Sequence, residues 1–464
     1  MKKVYTQTKE IEICGNYDVI VVGGGAAGCA AALTAGRLGA EVLLCERYGF
    51  LGGATAAQGV GHILSTNGLD FMGVWHDFIR EVNRLGGLSN RDLTTKGEDN
   101  RIRSGVDIEL VKFAWDNLLS KAQVNMLHHV WASGVMKEEN KITGVILETV
   151  SGTMAVQGKM VIDATGDGAV CTFAGASFSQ GDGEHPYNQA LTKVFRMGNV
   201  DRSVVHTKEE IQKLVEKAAS DEMAKRYESE VVKNGRAASY TASRTVPNSI
   251  PKYRTEMHGF ASRVLHINPV DPWDLTKAEQ EGRKQAYECA DFAKCYISGF
   301  ENAYLLDTNI HIGLRDSRRI QGIETVLAED ALMLNKRKDS IAKSSWVIDI
   351  WPGDHYARPA VQDSAQRMEK VLSGDYFDIP YGAIVVKGTQ NLFVAGRCIS
   401  AEREAQASLR IQQTCQATGE AAGFAAVFCL KHGISPDKAD GVAVAKELAQ
   451  HRSFIKPVIE ELLK

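Results

Sequence analysis

The chain of 464 residues has nine cysteines, Cys14, Cys29, Cys45, Cys171, Cys289, Cys295, Cys398, Cys415 and Cys429, yet no C-x-x-C pair. Most sit in apolar settings such as "LLCE" and "VFCL". This argues against a disulfide scaffold or an iron–sulfur cluster and predicts reduced thiols in a cytoplasm. Cys289 and Cys295 lie six apart, a poor spacing for one helix face, so no redox pair is expected there. Long apolar runs are also missing. The longest, "GFAAVFCL", is far shorter than the roughly 20 residues that cross a bilayer. The stretch "MKKVYTQTKEIEICGNYD" has no apolar core of signal-peptide length. No charge dominates: the formal net charge is -3 and no basic stripe is visible. The expectation is therefore no nucleic-acid partner, no membrane and no metal site. Internal repeats and low-complexity tracts are absent as well.

What is there is ordinary for a globular protein: 44% hydrophobic and 24% charged residues. The length exceeds what one compact core holds and predicts two domains, interleaved along the chain. Val19–Val22 shows no polar alternation, the pattern of a parallel strand buried on both faces. "CAAALTAGRLG" then reads as a helix closed by Gly39, and "AEVLLCE" as a second buried strand. From Val124 to Ile162 the pattern turns to hairpins: "VNMLHHVWASGVMKE", "KITGVILETV" and "TMAVQGKMVIDATG". The middle predicts two long helices, each opened by a capping box, Thr207 with Glu210 and Thr276 with Glu279. Strand "NLFVAG" and the small-residue helix "ATGEAAGFAAVFCLKHG" return to the opening style.

Gly23, Gly25 and Gly28 form G-x-G-x-x-G between strand and helix. The first permits a tight turn, the second close approach to a pyrophosphate, the third close packing of helix on strand. The helix N-terminus offers N–H groups to phosphates. Glu46 follows 23 residues after Gly23, at the end of the second strand, where a carboxylate takes ribose hydroxyls. Arg47 beside it is expected to face solvent or the adenine side, because Glu46 would repel a 2′-phosphate. Three further features favour a bound flavin over a visiting nicotinamide: "FLGGATAAQG" directly after Glu46, the strand-to-glycine turn "IDATGDG" with Asp163 and Asp167, and "FVAGRCISA" before a small-residue helix.

"YDVIVVGGGAAG", "LLCERYGFLGGAT", "VIDATGDG", "GLRDSRRIQG" and "NLFVAGRCISAEREAQASLRIQQTCQATGEAAG" resemble the FAD-dependent oxidoreductase family of the glutathione-reductase-type flavoprotein fold. The closer resemblance is to a bacterial branch similar to the flavin part of heterodisulfide reductase. It implies an α/β chain: a Rossmann-like FAD-binding domain with a parallel central sheet and a three-stranded β-meander, plus an interleaved α+β substrate domain. The boundaries expected are 1–180 and 376–464 for the FAD-binding domain and 181–375 for the cap. The resemblance implies the cofactor set as well. Gly23, Gly25, Ala26, Ala27 and Gly28 would hold the pyrophosphate, and Glu46 with Arg47 the adenosine end. Gly53, Ala54 and Thr55 would lie near the ring system, and Val130, Thr165 and Gly166 on the adenosine side. Gly396 and Arg397 would approach the ribityl and phosphate, and Arg410, Ile411 and Gly419 the flavin pyrimidine. The C-x-x-x-x-C of disulfide reductases is replaced by "FLGGAT", which speaks against dithiol chemistry.

The activity implied is hydride movement between flavin N5 and a small organic substrate (an alcohol, amine or related C–H donor), with an electron acceptor the sequence does not name. Two rivals stand beside it: a reductase of an unsaturated carboxylic acid, and a non-catalytic or RNA-modifying flavoprotein. A base needs a pKa near neutrality, so histidines come first. His355 in "WPGDHYARP" and His62 in "GVGHILSTNG" are the candidates, and Tyr381 is a proton donor only if core packing does not claim it. Arg315 and Arg318 of "GLRDSRRIQG" need anions if buried: Asp316, cofactor phosphates or a substrate carboxylate. Arg319 is expected to be solvated.

Overall fold

In the computed structural model the described residues are 5–6, 8–70, 72–88, 102–181, 185–201, 203–204, 206–221, 244–245, 256–350 and 364–453. Strand β1 (Glu12–Val22) runs into helix α1 (Ala26–Arg37) and then strand β2 (Val42–Cys45). Val19–Val22 and Val42–Cys45 are buried throughout, because sheet neighbours and helices cover both faces. Leu38 caps α1 and Gly39 follows at φ +86°, the left-handed conformation expected just past a helix end.

The central sheet has seven strands. β1 lies parallel to β2 on one side and to Gly152–Asp163 on the other, with Val19 opposite Val42 and Met160. Asn125–Leu127 extends the sheet beyond β2, and Leu392–Val394 adds a parallel strand against Val161–Asp163. Lys141–Thr149 and Trp131–Glu138 continue it as antiparallel hairpins. The expected meander and parallel sheet therefore share one strand and form one mixed sheet. Gly152–Asp163 starts in the meander and ends between β1 and Leu392–Val394. Gly158 lies at this handover, where a Cβ would sit 2.6 Å from Ile20 Cδ1. The run read as one strand from Val124 splits in two. His129 takes φ +58°, and the chain leaves Asn125–Leu127 to begin again at Trp131.

The helix Gln412–His432 lies directly on α1. A Cβ at Gly419 would stand 2.0 Å from the Ala27 carbonyl oxygen, and one at Gly423 2.2 Å from that of Ala31. Two glycines four apart thus let the helix backbones touch. Gly419, expected at the flavin, makes this helix contact and does not line the cavity described below.

The middle segment builds a second, smaller core. Arg244–Thr245, Met257–Gly259, Phe195–Gly198 and Tyr304–Asp307 form an antiparallel sheet in that order. Phe195, Met197, Ile211, Val215, Ala286, Phe292 and Ala293 fill the space between the sheet and the helices Lys208–Ser220 and Pro272–Tyr296. The capping box at Thr207 and Glu210 is present. The one at Thr276 is not: the helix starts five residues earlier, where Asp271 caps Trp273 and Asp274 and Pro272 occupies the first turn. Thr276 instead donates back to the Pro272 carbonyl at 2.8 Å. Aspartate before proline is the stronger start signal, since proline's missing N–H costs nothing there. Among the described residues no helix is long and apolar enough to cross a membrane.

One buried carboxyl marks a stability cost. Asp70 is fully buried, accepts hydrogen bonds from Ser65 and Ser345, and has one oxygen with no partner among the described residues. Burial lifts its carboxyl to about 6. A folded-state value above the unfolded one gives stability that is fully present below pH ~4 and is lost as pH rises through about 6. Asp70→Asn keeps an acceptor for Ser65 and removes the charge. We expect it to be stabilised relative to wild type at pH 8 by up to ~3 kcal/mol, and to lose that advantage at pH 4. Urea unfolding at the two pH values measures this, and an equal gap at both would refute it.

Candidate functional site

A cavity of about 830 Å³ opens where β1, β2 and Gly152–Asp163 end. Its volume is in the range of small-molecule sites. The turn after β1 shapes one wall. Gly23 takes φ +101°, and a Cβ there would meet the Ala164 carbonyl oxygen at 2.5 Å. A Cβ at Gly28 would sit only 1.7 Å from the Gly23 carbonyl oxygen, so helix and strand pack backbone to backbone. Gly25 differs. A Cβ there would meet nothing nearer than the Gly53 Cα, at 3.7 Å, and would project into free space. Gly53, at φ +50°, has its own missing Cβ 2.6 Å from the Gly25 Cα. These two glycines keep the wall bare. No side chain caps the N-terminus of α1, and Gly25, Ala26 and Ala27 line the cavity there.

Glu46 also lines the cavity and is buried. It accepts from the Gly24 N–H at 2.6 Å and the Tyr48 N–H at 2.9 Å, which leaves its carboxylate with further acceptor capacity. Arg47 does not simply face solvent. Its guanidinium lies 4.8 Å over the Tyr48 ring and 5.2 Å over the Trp131 ring, at the side where Val130 and Trp131 line the wall. Val130 donates its N–H to the Glu46 carbonyl at 3.1 Å.

The "DATGDG" turn closes the opposite side. Asp163 accepts from Thr165 N–H, Thr165 Oγ1 and Cys171 N–H, so it braces the turn from below. Asp167 lies on the cavity and meets Arg397 Nη2 at 2.6 Å and Ser317 Oγ at 2.8 Å. Burial alone would raise its carboxyl, but the charges of Arg397 and Arg47 and the Ser317 hydroxyl outweigh this and hold it below its ordinary value. Arg397 gives its other donors to the Gly166 and Leu314 carbonyls, both at 2.8 Å. It thus ties three segments together as well as lining the cavity. Gly396 stands beside it at φ +84°, its N–H on Thr418 Oγ1 at 3.2 Å.

Arg315, Arg410, Ile411 and His62 complete the wall, with Gln58, Leu64, Thr192, Val194, Phe260, Trp346, Asp349 and Gln412. The His62 ring meets Phe260 edge-on with centroids 5.0 Å apart. Arg410 contacts the Asp349 carboxylate at 3.0 Å. Arg315 donates to the Ala190 carbonyl and, at 3.0 Å, to Thr192 Oγ1.

Most of the expected set thus converges on one cavity: Gly23, Gly25, Ala26, Ala27, Glu46, Arg47, Gly53, Ala54, Val130, Thr165, Gly166, Gly396, Arg397, Arg410, Ile411, Arg315 and His62. Three do not line it. Gly28 and Gly419 serve backbone packing, and Thr55 is buried with its hydroxyl on Gln412, which it orients. Arg319 is not solvated: it is buried in a short strand and donates to the Gly181 carbonyl at 3.0 Å. Asp316 does not pair with Arg318. It accepts the Gln189 N–H, while Arg318 donates to the Asp167 carbonyl at 2.7 Å and lies over Phe178. Tyr381 is buried and donates to the Pro436 carbonyl at 2.9 Å, so packing claims it. His355 lies outside the described residues. Asp349, Phe260 and Trp346 escaped the sequence reading because nothing local to them signals a cavity. All nine cysteines carry free thiols.

Residues 18–448 match the family described as FAD dependent oxidoreductase, and the chain belongs to that family. The site fits the cofactor: a bare glycine wall, an uncapped helix N-terminus and a buried carboxylate at the end of β2 share one cavity. Among curated proteins, the chain is similar to the tRNA uridine 5-carboxymethylaminomethyl modification enzyme MnmG of Desulfitobacterium hafniense, with 30% identity over 149 residues, 30% of this chain and 22% of that one. It is also similar to digeranylgeranylglycerophospholipid reductase 1 of Methanococcoides burtonii, with 29% identity over 155 residues, 32% of this chain and 38% of that one. The chain thus spans less than two fifths of the length of these curated relatives. Among solved structures, a geranylgeranyl bacteriochlorophyll reductase-like protein from Thermoplasma acidophilum is 14% identical, with 96% of this chain and 84% of that chain covered and a TM-score of 0.45. The exclusion of nucleic acid drawn from net charge does not stand. Relatives include tRNA-modifying enzymes, and a whole-chain charge says nothing of local patches.

The Asp167–Arg397 pair gives a direct test of the site's electrostatics. Removing one partner of a buried pair leaves the other uncompensated. We expect Asp167→Asn to cost on the order of 3 kcal/mol at pH 7. A carboxyl held low contributes stability above its unfolded pKa and loses it as pH falls through the folded value. The penalty should therefore shrink toward pH 3. Denaturant titrations that gave the same penalty at both pH values would contradict the assignment.

Proposed function

We propose that this FAD-dependent oxidoreductase moves a hydride between a small organic substrate and the flavin, with both held in the one cavity. The observation that carries the reading is that a single cavity is lined by the bare Gly25–Gly53 wall, by Glu46, and by His62, Phe260, Arg315 and Arg410. The reading assigns the pyrophosphate to Gly23–Ala27 at the head of α1, the adenosine ribose to Glu46, and the adenine to Val130 and Arg47. Gly53, Ala54 and Arg410–Ile411 would border the ring system. FAD, when bound, supplies reversible two-electron chemistry at its ring. The chain's own work is to bind, orient and dry the reactants.

His62 is the described imidazole on the cavity wall, and we assign it the substrate proton. Phe260 holds its ring from the side. The domain reading follows the same lines: 1–180 with 376–464 as the cofactor half, and 181–375 as the cap that supplies Thr192, Val194, Phe260 and Arg315. The glutathione-reductase-type fold and the likeness to the flavin part of heterodisulfide reductase belong to this reading too. Free thiols throughout suit a cytoplasmic location.

Two glycines separate cofactor binding from folding. Gly25→Ala should fold with little loss of stability but carry less than a tenth of the wild-type flavin, because its Cβ enters the cavity. Gly28→Ala should lose several degrees of Tm, because its Cβ strikes the Gly23 carbonyl. Visible absorbance of the bound flavin and thermal melts distinguish them, and a flavin-replete Gly25→Ala protein would sink the assignment. For the activity, anaerobic holoprotein is screened with alcohols, amines and acids for flavin bleaching. His62→Gln should slow the reductive step at least ~10-fold with flavin content unchanged. A colourless wild-type protein, or an unaltered rate in the variant, defeats the reading.

A further inference from the structure

The middle segment reaches the cavity at a second place, and this step rests on the reading of the cavity as the FAD site. Pro269, Val270, Pro272 and Leu275 line it, all from the loop and first turn that open the helix Pro272–Tyr296. Two anchors fix where they stand. At one end Asn268 Oδ1 accepts from Gln180 Nε2 at 2.7 Å. Gln180 directly follows Phe178–Ser179, the strand paired with Arg319–Ile320, and Arg318 lies over Phe178 and donates to the Asp167 carbonyl. At the other end, one helical turn past Leu275, Glu279 accepts the Ile312 N–H and Lys193 Nζ, both at 2.7 Å. The ring of His311, beside Ile312, meets the Tyr48 ring edge-on with centroids 6.5 Å apart. The segment 268–275 therefore crosses from the Asp167 side of the cavity to the Tyr48 side. Arg47, Val130 and Thr165, given above to the adenosine end, line the cavity there with Asp167 and Tyr48.

The crossing is stiff and apolar. Asn268 Oδ1 also accepts the Val270 N–H at 3.3 Å, and Asp274 accepts the Asn268 N–H at 3.0 Å. Pro269 and Pro272 fix their own φ. Asp271 already takes the Trp273 and Asp274 N–H groups at 2.9 and 3.0 Å, so the helix start is capped from within. Val270 and Leu275 are half-buried, and each keeps apolar surface uncovered by the rest of the chain. Side chains without a donor or acceptor suit the flat face of a base better than its polar edge or a phosphate.

We propose that the segment 268–275 is a roof over the adenosine half of FAD, with the adenine face packed on Val270 and Leu275. The cofactor is then held between both parts of the chain and leaves only when this roof lifts.

The test is the rate at which diluted holoprotein releases FAD, read as the flavin left on the protein at timed intervals. Val270→Ala and Leu275→Ala should each speed release ~10-fold, because lost apolar contact shows mainly in the dissociation rate. The visible spectrum of the flavin still bound should match the wild type, since the ring system lies at the other end. Trp273 shares this first turn but is 77% exposed and does not line the cavity. Trp273→Ala should therefore release FAD at the wild-type rate. Tm is measured on each variant, and if Leu275→Ala does not fold, Val270→Ala, which lies outside the helix, carries the test. The proposal is overturned if Val270→Ala releases FAD no faster than the wild type. It is overturned equally if Trp273→Ala speeds release as much, which would mean a general loosening of the turn. A wild-type protein purified without flavin would instead overturn the cofactor reading beneath it, and the roof with it.

Discussion

Backbone pressed on backbone is the constraint on which the rest of this structure depends. α1 touches the turn of β1 at Gly28, where a Cβ would be 1.7 Å from the Gly23 carbonyl, and touches Gln412–His432 at Gly419 and Gly423. A single methyl at any of the three would wedge the layers apart. With α1 fixed on both sides, its uncapped N-terminus is fixed too, and so is the direction in which Gly25 opens the wall. The cavity is thus a by-product of helix packing. The head of α1 and the Gly25–Gly53 contact give it a wall of main chain, to which Glu46, Asp167 and Arg397 add their side chains.

That division explains what could be read in advance. The β1–α1–β2 unit was legible because tight backbone turns demand glycine at fixed spacings, and buried strands demand unbroken apolar runs. Glu46 was legible because its place at the end of β2 follows from the same unit. The far wall was not. Arg410 meets Asp349 across 61 residues, and Phe260 meets His62 across nearly 200. No local pattern records such pairs. Arg319 was misread for the same reason: its charge suggested solvent, while tertiary packing buried it beside Gly181. The need for Gly419 in the contact between Gln412–His432 and α1 was likewise invisible, because it depends on a helix nearly 400 residues away in the chain.

The two halves of the site are held by different contacts. On the "DATGDG" side, Asp167 and Arg397 meet as a pair that is further tied to main-chain carbonyls of Gly166 and Leu314. Such a pair holds geometry and leaves little net charge. On the far side, Arg410 meets the Asp349 carboxylate at 3.0 Å and Arg315 reaches the Thr192 hydroxyl at 3.0 Å, so that wall is held by contacts between segments far apart in the chain.

The strand Gly152–Asp163 pairs first with its hairpin neighbour and last with Leu392–Val394, and Asn391 reaches back to the Lys159 carbonyl across 232 residues. On the ribosome these events are separated in time. At roughly 5–20 residues per second, the hairpin can close within seconds of its synthesis, but the sheet's last strand arrives only some tens of seconds later. Until Gln412–His432 follows, α1 presents Ala27 and Ala31 to solvent with nothing across them. The layer therefore stays unfinished until Gln412–His432 has been made, and the cavity, lined by Gln412, Gln413 and Cys415, with it.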